Sequence, residues 1–188
     1  MTGLLSRFAK IFRRQPPFHP IQPPFHPIEN LKVRGMFRIQ ITEGDPANPD
    51  RIVGDTGLIP IENTVTIQGK KLYLCDPLGG TPLAIGFASI GSGNTIPTSD
   101  TALSGEFVNA SKRASVVYTN NGSSQAQFAF TLASSNSFYT QAGATTMQDV
   151  GLFASNTLGT MFCGGTYASS QLSSNQNVVC SAYNINFG

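Results

Sequence analysis

The seven-residue unit Gln-Pro-Pro-Phe-His-Pro-Ile occurs twice in succession, at residues 15–21 and 22–28. Six of the chain's 12 prolines lie between Pro16 and Pro27, and both histidines, His19 and His26, fall inside the repeat. Proline fixes φ and removes the backbone donor, so this stretch can join neither a helix interior nor a central strand. Polyproline II is the conformation left to it. The repeat therefore reads as an extended, semi-rigid arm that shows the same Phe/His/Pro/Ile surface twice. It divides the chain into residues 1–29, a basic and proline-rich docking arm, and residues 30–188, a domain long enough to bury a core without staples.

Charge is scarce and unevenly placed. Charged residues make up 12% of the chain, against roughly 25% in ordinary soluble domains. Residues 1–38 hold seven Lys/Arg and one acid, Glu29, while the remaining 150 residues hold five bases and nine acids. From Ala114 onward the only charged side chain is Asp149. A free monomer normally keeps itself soluble, and guards its sheet edges, with Lys and Glu. A charge-free half points to a subunit covered by copies of itself or by neighbours, with a neutral secreted monomer as the alternative. Three cysteines, Cys75, Cys163 and Cys180, form no C-x-x-C pair and no metal spacing. They read as reduced, buried thiols of a protein made in a cytoplasm, with a Cys163–Cys180 disulfide open if the two stand on neighbouring strands. No apolar run approaches the roughly 20 residues of a membrane span.

Ahead of the repeat, Leu4, Leu5, Phe8, Ile11 and Phe12 alternate with Arg7, Lys10 and Arg13. The basic residues interrupt any signal-peptide core. The spacing i, i+1, i+4, i+7, i+8 gives an amphipathic helix instead. Such a helix can fill a partner's groove, lie on a membrane surface, approach nucleic acid, or order only on contact, because a helix this short is marginal alone. The partner groove is the preferred reading. Phenylalanines on an apolar face or between prolines suit protein pockets better than bases, and large apolar side chains seated in pockets dominate interface energy. The partner-binding anchors are then Leu4, Leu5, Phe8, Ile11, Phe12, Phe18, Ile21, Phe25 and Ile28.

The domain reads as mainly β. Phe37, Ile39 and Ile41 alternate with Arg38 and Gln40 as in a half-buried strand. Residues 43–50 are turn chemistry, and a second strand is expected near 52–61. A short helix is expected around 69–74, closed by Pro77 and Gly79-Gly80. A buried strand is expected over 82–89, followed by a flexible Gly91-Ser92-Gly93 loop. Ser99 or Asp100 is placed to cap a helical turn through Thr101-Ala102-Leu103. Asn120-Asn121-Gly122 marks a hairpin between strands 114–119 and 125–133, the latter with Ala126, Phe128, Phe130 and Leu132 on one face. A second hairpin joins 146–154 to 160–168. The last strand, 178–187, carries Val179, Tyr183, Ile185 and Phe187 on one side. The fold class expected is an antiparallel, jelly-roll-like β-sandwich or small barrel with one or two short helices and an extended N-terminal arm.

Catalytic constellations do not assemble. Both histidines sit in the arm, which removes a Ser-His-Asp or Cys-His site. Gly91-Ser92-Gly93 lacks the third glycine of a dinucleotide loop and the lysine of a P-loop. Asp100 and Glu106 form a formal carboxylate pair, better read as a helix cap and a first-turn charge. No cofactor or metal is expected, and the chain is expected not to be an enzyme.

Three stretches resemble small structural proteins of tailed bacteriophage virions. Asn63-Thr64-Val65-Thr66-Ile67-Gln68-Gly69 is similar to an N-x-V-T-x-x-G segment ahead of a short helix. The run from Ile85-Gly86-Phe87-Ala88 through Gly91-Ser92-Gly93 to Asp100-Thr101-Ala102-Leu103 and Glu106 is similar to a strand, a G-x-G loop, then D-T-A-L and an acid. Met147 to Phe153, Gly159-Thr160-Met161-Phe162 and the closing Tyr183-Asn184-Ile185-Asn186-Phe187 resemble an E-x-G-L-F…G-x-M hairpin and final strand, with Asp149 in place of Glu and Gly164-Gly165 in place of an arginine. The resemblance spans roughly residues 60–188 and excludes the Phe-His-Pro arm. It implies a non-enzymatic, multi-copy virion protein assembled in the host cytoplasm, partnered with major capsid or tail subunits and with itself. Capsid decoration through the arm is the favoured role. A tail-tip, fibre or baseplate module binding a host receptor or glycan, with Tyr139 and Tyr167 in its site, is the alternative. A basic arm on nucleic acid or a membrane surface is the lesser third.

Overall fold

The computed structural model describes residues 32–80, 83–99, 101–107, 113–122, 125–136, 145–157 and 159–186. The described chain is mainly antiparallel β-structure, a single sheet nearly closed on itself as a barrel-like sandwich. The strands are β1 (Lys32–Asp45), β2 (Asn48–Asp55), β3 (Ile59–Val65), β4 (Phe87–Gly91), β5 (Ala114–Ser115), β6 (Val117–Asn120), β7 (Gln125–Leu132), β8 (Thr145–Phe153), β9 (Met161–Leu172) and β10 (Gln176–Asn186). Their order is β5-β4-β8-β9-β3-β1-β10-β7-β6, with β2 branching from β1.

The two ends of that order are consecutive in the chain. β5 pairs with β4, β6 pairs with β7, and only Val116 separates them. One bent strand therefore changes partner halfway and brings the two ends of the sheet together, nearly closing it. Near-closure shortens the exposed edges of a chain poor in Lys and Glu, leaving β2, which pairs with β1 alone, as a branch.

The interior follows the alternation. Phe37, Ile39 and Ile41 of β1 and Phe128, Phe130 and Leu132 of β7 are buried as expected. Phe37 packs edge-on against Tyr183, ring centroids 5.5 Å apart, and against Tyr167 at 5.2 Å. The last strand departs from its pattern. Pairing with β1 jumps from Cys180 to Ala182 opposite the consecutive Ile39 and Arg38, so an extra residue bulges from β10. The bulge changes which face points inward. Val178 and Cys180 join Tyr183 and Ile185 in the core, and Val179 does not share their face.

Other expectations are corrected locally. The strand expected near 52–61 is two strands, β2 and β3, hinged at Thr56–Leu58. The strand expected over 82–89 begins only at Phe87, because 83–86 run irregularly. No helical turn forms at Thr101–Leu103. Leu103 is drawn instead into a cluster with Phe153 and Met161, and Ser92 and Phe107 amides bond back to Ser104 and Ile90 carbonyls. Cys163 and Cys180 are buried free thiols on strands separated by β3 and β1, not neighbours, and Cys75 is exposed rather than buried. Burial pushes the Cys163 thiol up to about 12.

The helix after β3 forms where expected. Ile67–Gly69, Lys70–Cys75 and Asp76–Leu78 run on as one element, α1, whose middle is π-helical. Thr66 caps it, accepting the Gly69 amide at 2.8 Å while its hydroxyl donates to the Met161 carbonyl at 2.5 Å. Gly80 ends it with φ +86°, the left-handed value glycine tolerates. Gly69 lies so close to β9 that a Cβ there would overlap the Phe162 carbonyl. Gly69→Ala should accordingly destabilise the fold by about 3 kcal/mol, read as a lower urea midpoint. Helix propensity alone gives the opposite sign, a gain of about 1 kcal/mol, so the direction of the shift decides between the two.

Candidate interaction surface

The three stretches singled out by resemblance meet in space. Asn63 accepts the Tyr183 hydroxyl, Val65 is core, and Thr66 and Gly69 lock α1 onto Met161 and Phe162. Gly91 stands opposite Asp149 where β4 pairs with β8. A Cβ on Gly91 would come 2.5 Å from Asp149 Oδ1, and one on Gly93 would come 2.5 Å from Oδ2. The Gly-Ser-Gly loop is therefore shaped around this chain's own carboxyl, not around a nucleotide. Gly164 and Gly165 have no room for a side chain either, because Ile96 and Ile61 fill the space.

Asp149 is fully buried, and neither carboxylate oxygen has a hydrogen-bond partner of good geometry. Burial pushes its carboxyl up to about 7, the Gly91 and Gly93 amides pull it down, and the Glu106 charge raises it further. Glu106 is itself engaged by Arg113, whose guanidinium donates through Nε at 2.5 Å and Nη2 at 3.1 Å. The same guanidinium lies 3.4 Å over the Phe153 ring and donates to the Ser155 carbonyl at 3.2 Å. Asp100, the other half of the formal carboxylate pair, lies outside the described residues.

With Asp149 inside, the described surface from Ala114 to Asn186 carries no charge. Between that surface and the segments at 73–74 and 83–85 lies an apolar groove of about 370 Å³. One wall is Leu83, Ala84 and Ile85 ahead of β4, and the other is Tyr118, Ala126 and Phe128 of β6 and β7. Phe162 and Ile185 form the remainder with Tyr73 and Leu74, which the π-helical turn of α1 presents. The groove opens at the seam where the closing strand leaves β4 for β7. Leu83 and Tyr118 are 41% and 55% exposed, and the buried Tyr73 hydroxyl has no hydrogen-bonding partner.

The sequence-predicted anchors Leu4, Leu5, Phe8, Ile11, Phe12, Phe18, Ile21, Phe25 and Ile28 all lie outside the described residues, as does Tyr139. Tyr167 is not in a surface loop. It stands in β9 with its hydroxyl buried against the core, so it cannot line an open receptor site. Among the described residues no cluster of three or more metal-ligating side chains occurs, and no helix is long and apolar enough to cross a membrane. Compared with protein-family models, curated proteins and solved structures, the chain matches none.

Proposed function

We propose that the chain is a non-enzymatic virion structural protein of a tailed bacteriophage, a multi-copy subunit that docks on the particle as a capsid decoration through its N-terminal arm. The observation that carries this reading is the uncharged surface of residues 114–186, whose only ionisable acid is turned inward. A surface without Lys, Arg, Asp or Glu has no electrostatic defence against association and suits permanent cover by neighbours. The arm supplies reach and repeated apolar anchors of the kind that dominate interface energy. Tail-tip or baseplate adsorption is the second reading, weakened by the burial of Tyr167.

Immunogold labelling of purified phage particles that contain the chain tests the proposal. Label spread over the head is the expected result, and deletion of one Gln-Pro-Pro-Phe-His-Pro-Ile unit should reduce bound protein at least tenfold. Label confined to the tail tip moves the chain to the adsorption role. Attachment that survives the deletion takes the arm out of the mechanism, and binding that collapses with added salt transfers the arm to nucleic acid or anionic lipid.

A further inference from the structure

The groove lies beside the point where the arm enters the fold. Ile185 in its wall precedes Asn186, the partner of Arg34, and Tyr73 and Leu74 follow the end of β3, where Thr64 pairs with Lys32. Thirty-one residues precede that point, and the second repeat unit ends at Ile28, four positions before Lys32. The chemistry of groove and unit is complementary. Each unit is uncharged and presents Pro, Phe and Ile, and polyproline segments dock in aromatic-lined grooves. Prolines strip a segment of N–H donors, so the unit can lie against an apolar, aromatic-lined surface such as that of Tyr73, Tyr118, Phe128 and Phe162 with few donors left to satisfy.

We propose that the groove is the receptor for the Pro-Pro-Phe-His-Pro-Ile unit of a second copy of this chain, so that subunits are linked arm into groove. Delivery by another copy follows from stiffness and reach. The sequence between Gly3 and Gly35 contains no glycine and six prolines, which opposes reversal onto its own domain. At about 3.1 Å per residue, residues 15–31 extend on the order of 50 Å, more than the roughly 40 Å diameter of a domain this size. Either Phe18 or Phe25 can be the seated ring. The proposal rests on the reading of the arm as a docking element and names where it docks.

Sedimentation of the full chain over a concentration series tests it. Wild type should self-associate. The arm variant Phe18→Ala/Phe25→Ala and the groove variant Leu83→Asp should each weaken association at least tenfold, and a mixture of the two should regain a complex. The first supplies an intact groove and the second an intact arm, a rescue that an arm folded into its own groove would not produce. Tyr118→Ser gives the groove side a second variant at an exposed position, with circular dichroism reporting that each chain is folded. A monomeric wild type, groove variants that associate like wild type, or a mixture without a complex would each overturn the proposal. If the arm variant loses particle attachment but keeps self-association, the groove is wrong and the virion reading stands. If it keeps attachment but loses self-association, the groove stands and the arm's docking on the particle falls.

Discussion

Asp149→Asn should make the protein more stable than wild type at pH 8 by roughly 4 kcal/mol, and leave it within about 1 kcal/mol of wild type at pH 4. The carboxyl is held near 7 by burial, against about 3.9 for an unfolded aspartate. Below about pH 4 it is protonated in both states and folding is unaffected. Between roughly 4 and 7 the unfolded chain ionises while the folded one does not, so stability falls as pH rises, levelling off above 7. Asparagine keeps the shape and cannot ionise, which removes the slope. Asp55 does not confuse this window. Its hydrogen bonds from Arg38 hold it well below the usual carboxylate range, so its contribution, small for an exposed pair, is lost only as pH falls below about 4. The two histidines, His19 and His26, lie in the arm segment, outside the described residues. Thermal melts at pH 4, 6 and 8 measure the effect, on the order of 10 °C at pH 8 for a domain of this size. A less stable variant at pH 8 would mean that the Gly91 and Gly93 amides hold the ionised carboxylate as an anion nest.

What the sequence shows of this fold is set by how local each signal is. Alternation in β1 and β7, the Asn-Gly hairpin and the glycine end of α1 are encoded within a few residues, and all are found where the pattern puts them; the Thr66 cap is equally local but is not among the sequence expectations. The β10 bulge is not encoded that way. It is set by pairing with β1, 140 or so positions away in sequence, and it reverses the face on which Val179 would have lain. The helical turn at Thr101–Leu103 loses to tertiary structure, because Leu103 has more to gain beside Phe153 and Met161 than a three-residue helix can supply. The groove is invisible to periodicity, being assembled from α1 and several strands meeting at a seam. Arg113 had a signal that could have been used. Glu106 is the last acid before Asp149, and Lys112-Arg113 are the last bases of the chain, so the sequence offers Glu106 only two nearby cations to pair with, of which the fold selects Arg113.

That ion pair gives the largest single loss expected. Arg113→Met should destabilise the protein by about 3–5 kcal/mol. The Arg113 and Glu106 side chains are 5% and 11% exposed, so removing the guanidinium leaves a carboxylate without water or counterion. It also removes the cover over Phe153 and the bond to the Ser155 carbonyl that ties the loop before β5 to the β8–β9 turn. The pair itself is not expected to be worth that much, since desolvation offsets most of its attraction. Glu106→Leu with Arg113→Met should therefore recover most of the loss, to within about 1–2 kcal/mol of wild type, measured by urea unfolding at pH 7. A double variant as unstable as Arg113→Met alone would move the stabilisation to the ring and carbonyl contacts. The same cycle couples to the buried acid. Glu106 raises the Asp149 carboxyl, so Glu106→Gln should shift the fall in stability with pH to lower pH. Arg113→Met, which strips Glu106 of its counterion, should shift it higher. Opposite displacements of one titration by two neighbouring substitutions are the signature of a charge relay through Glu106, and a purely steric lock would move neither.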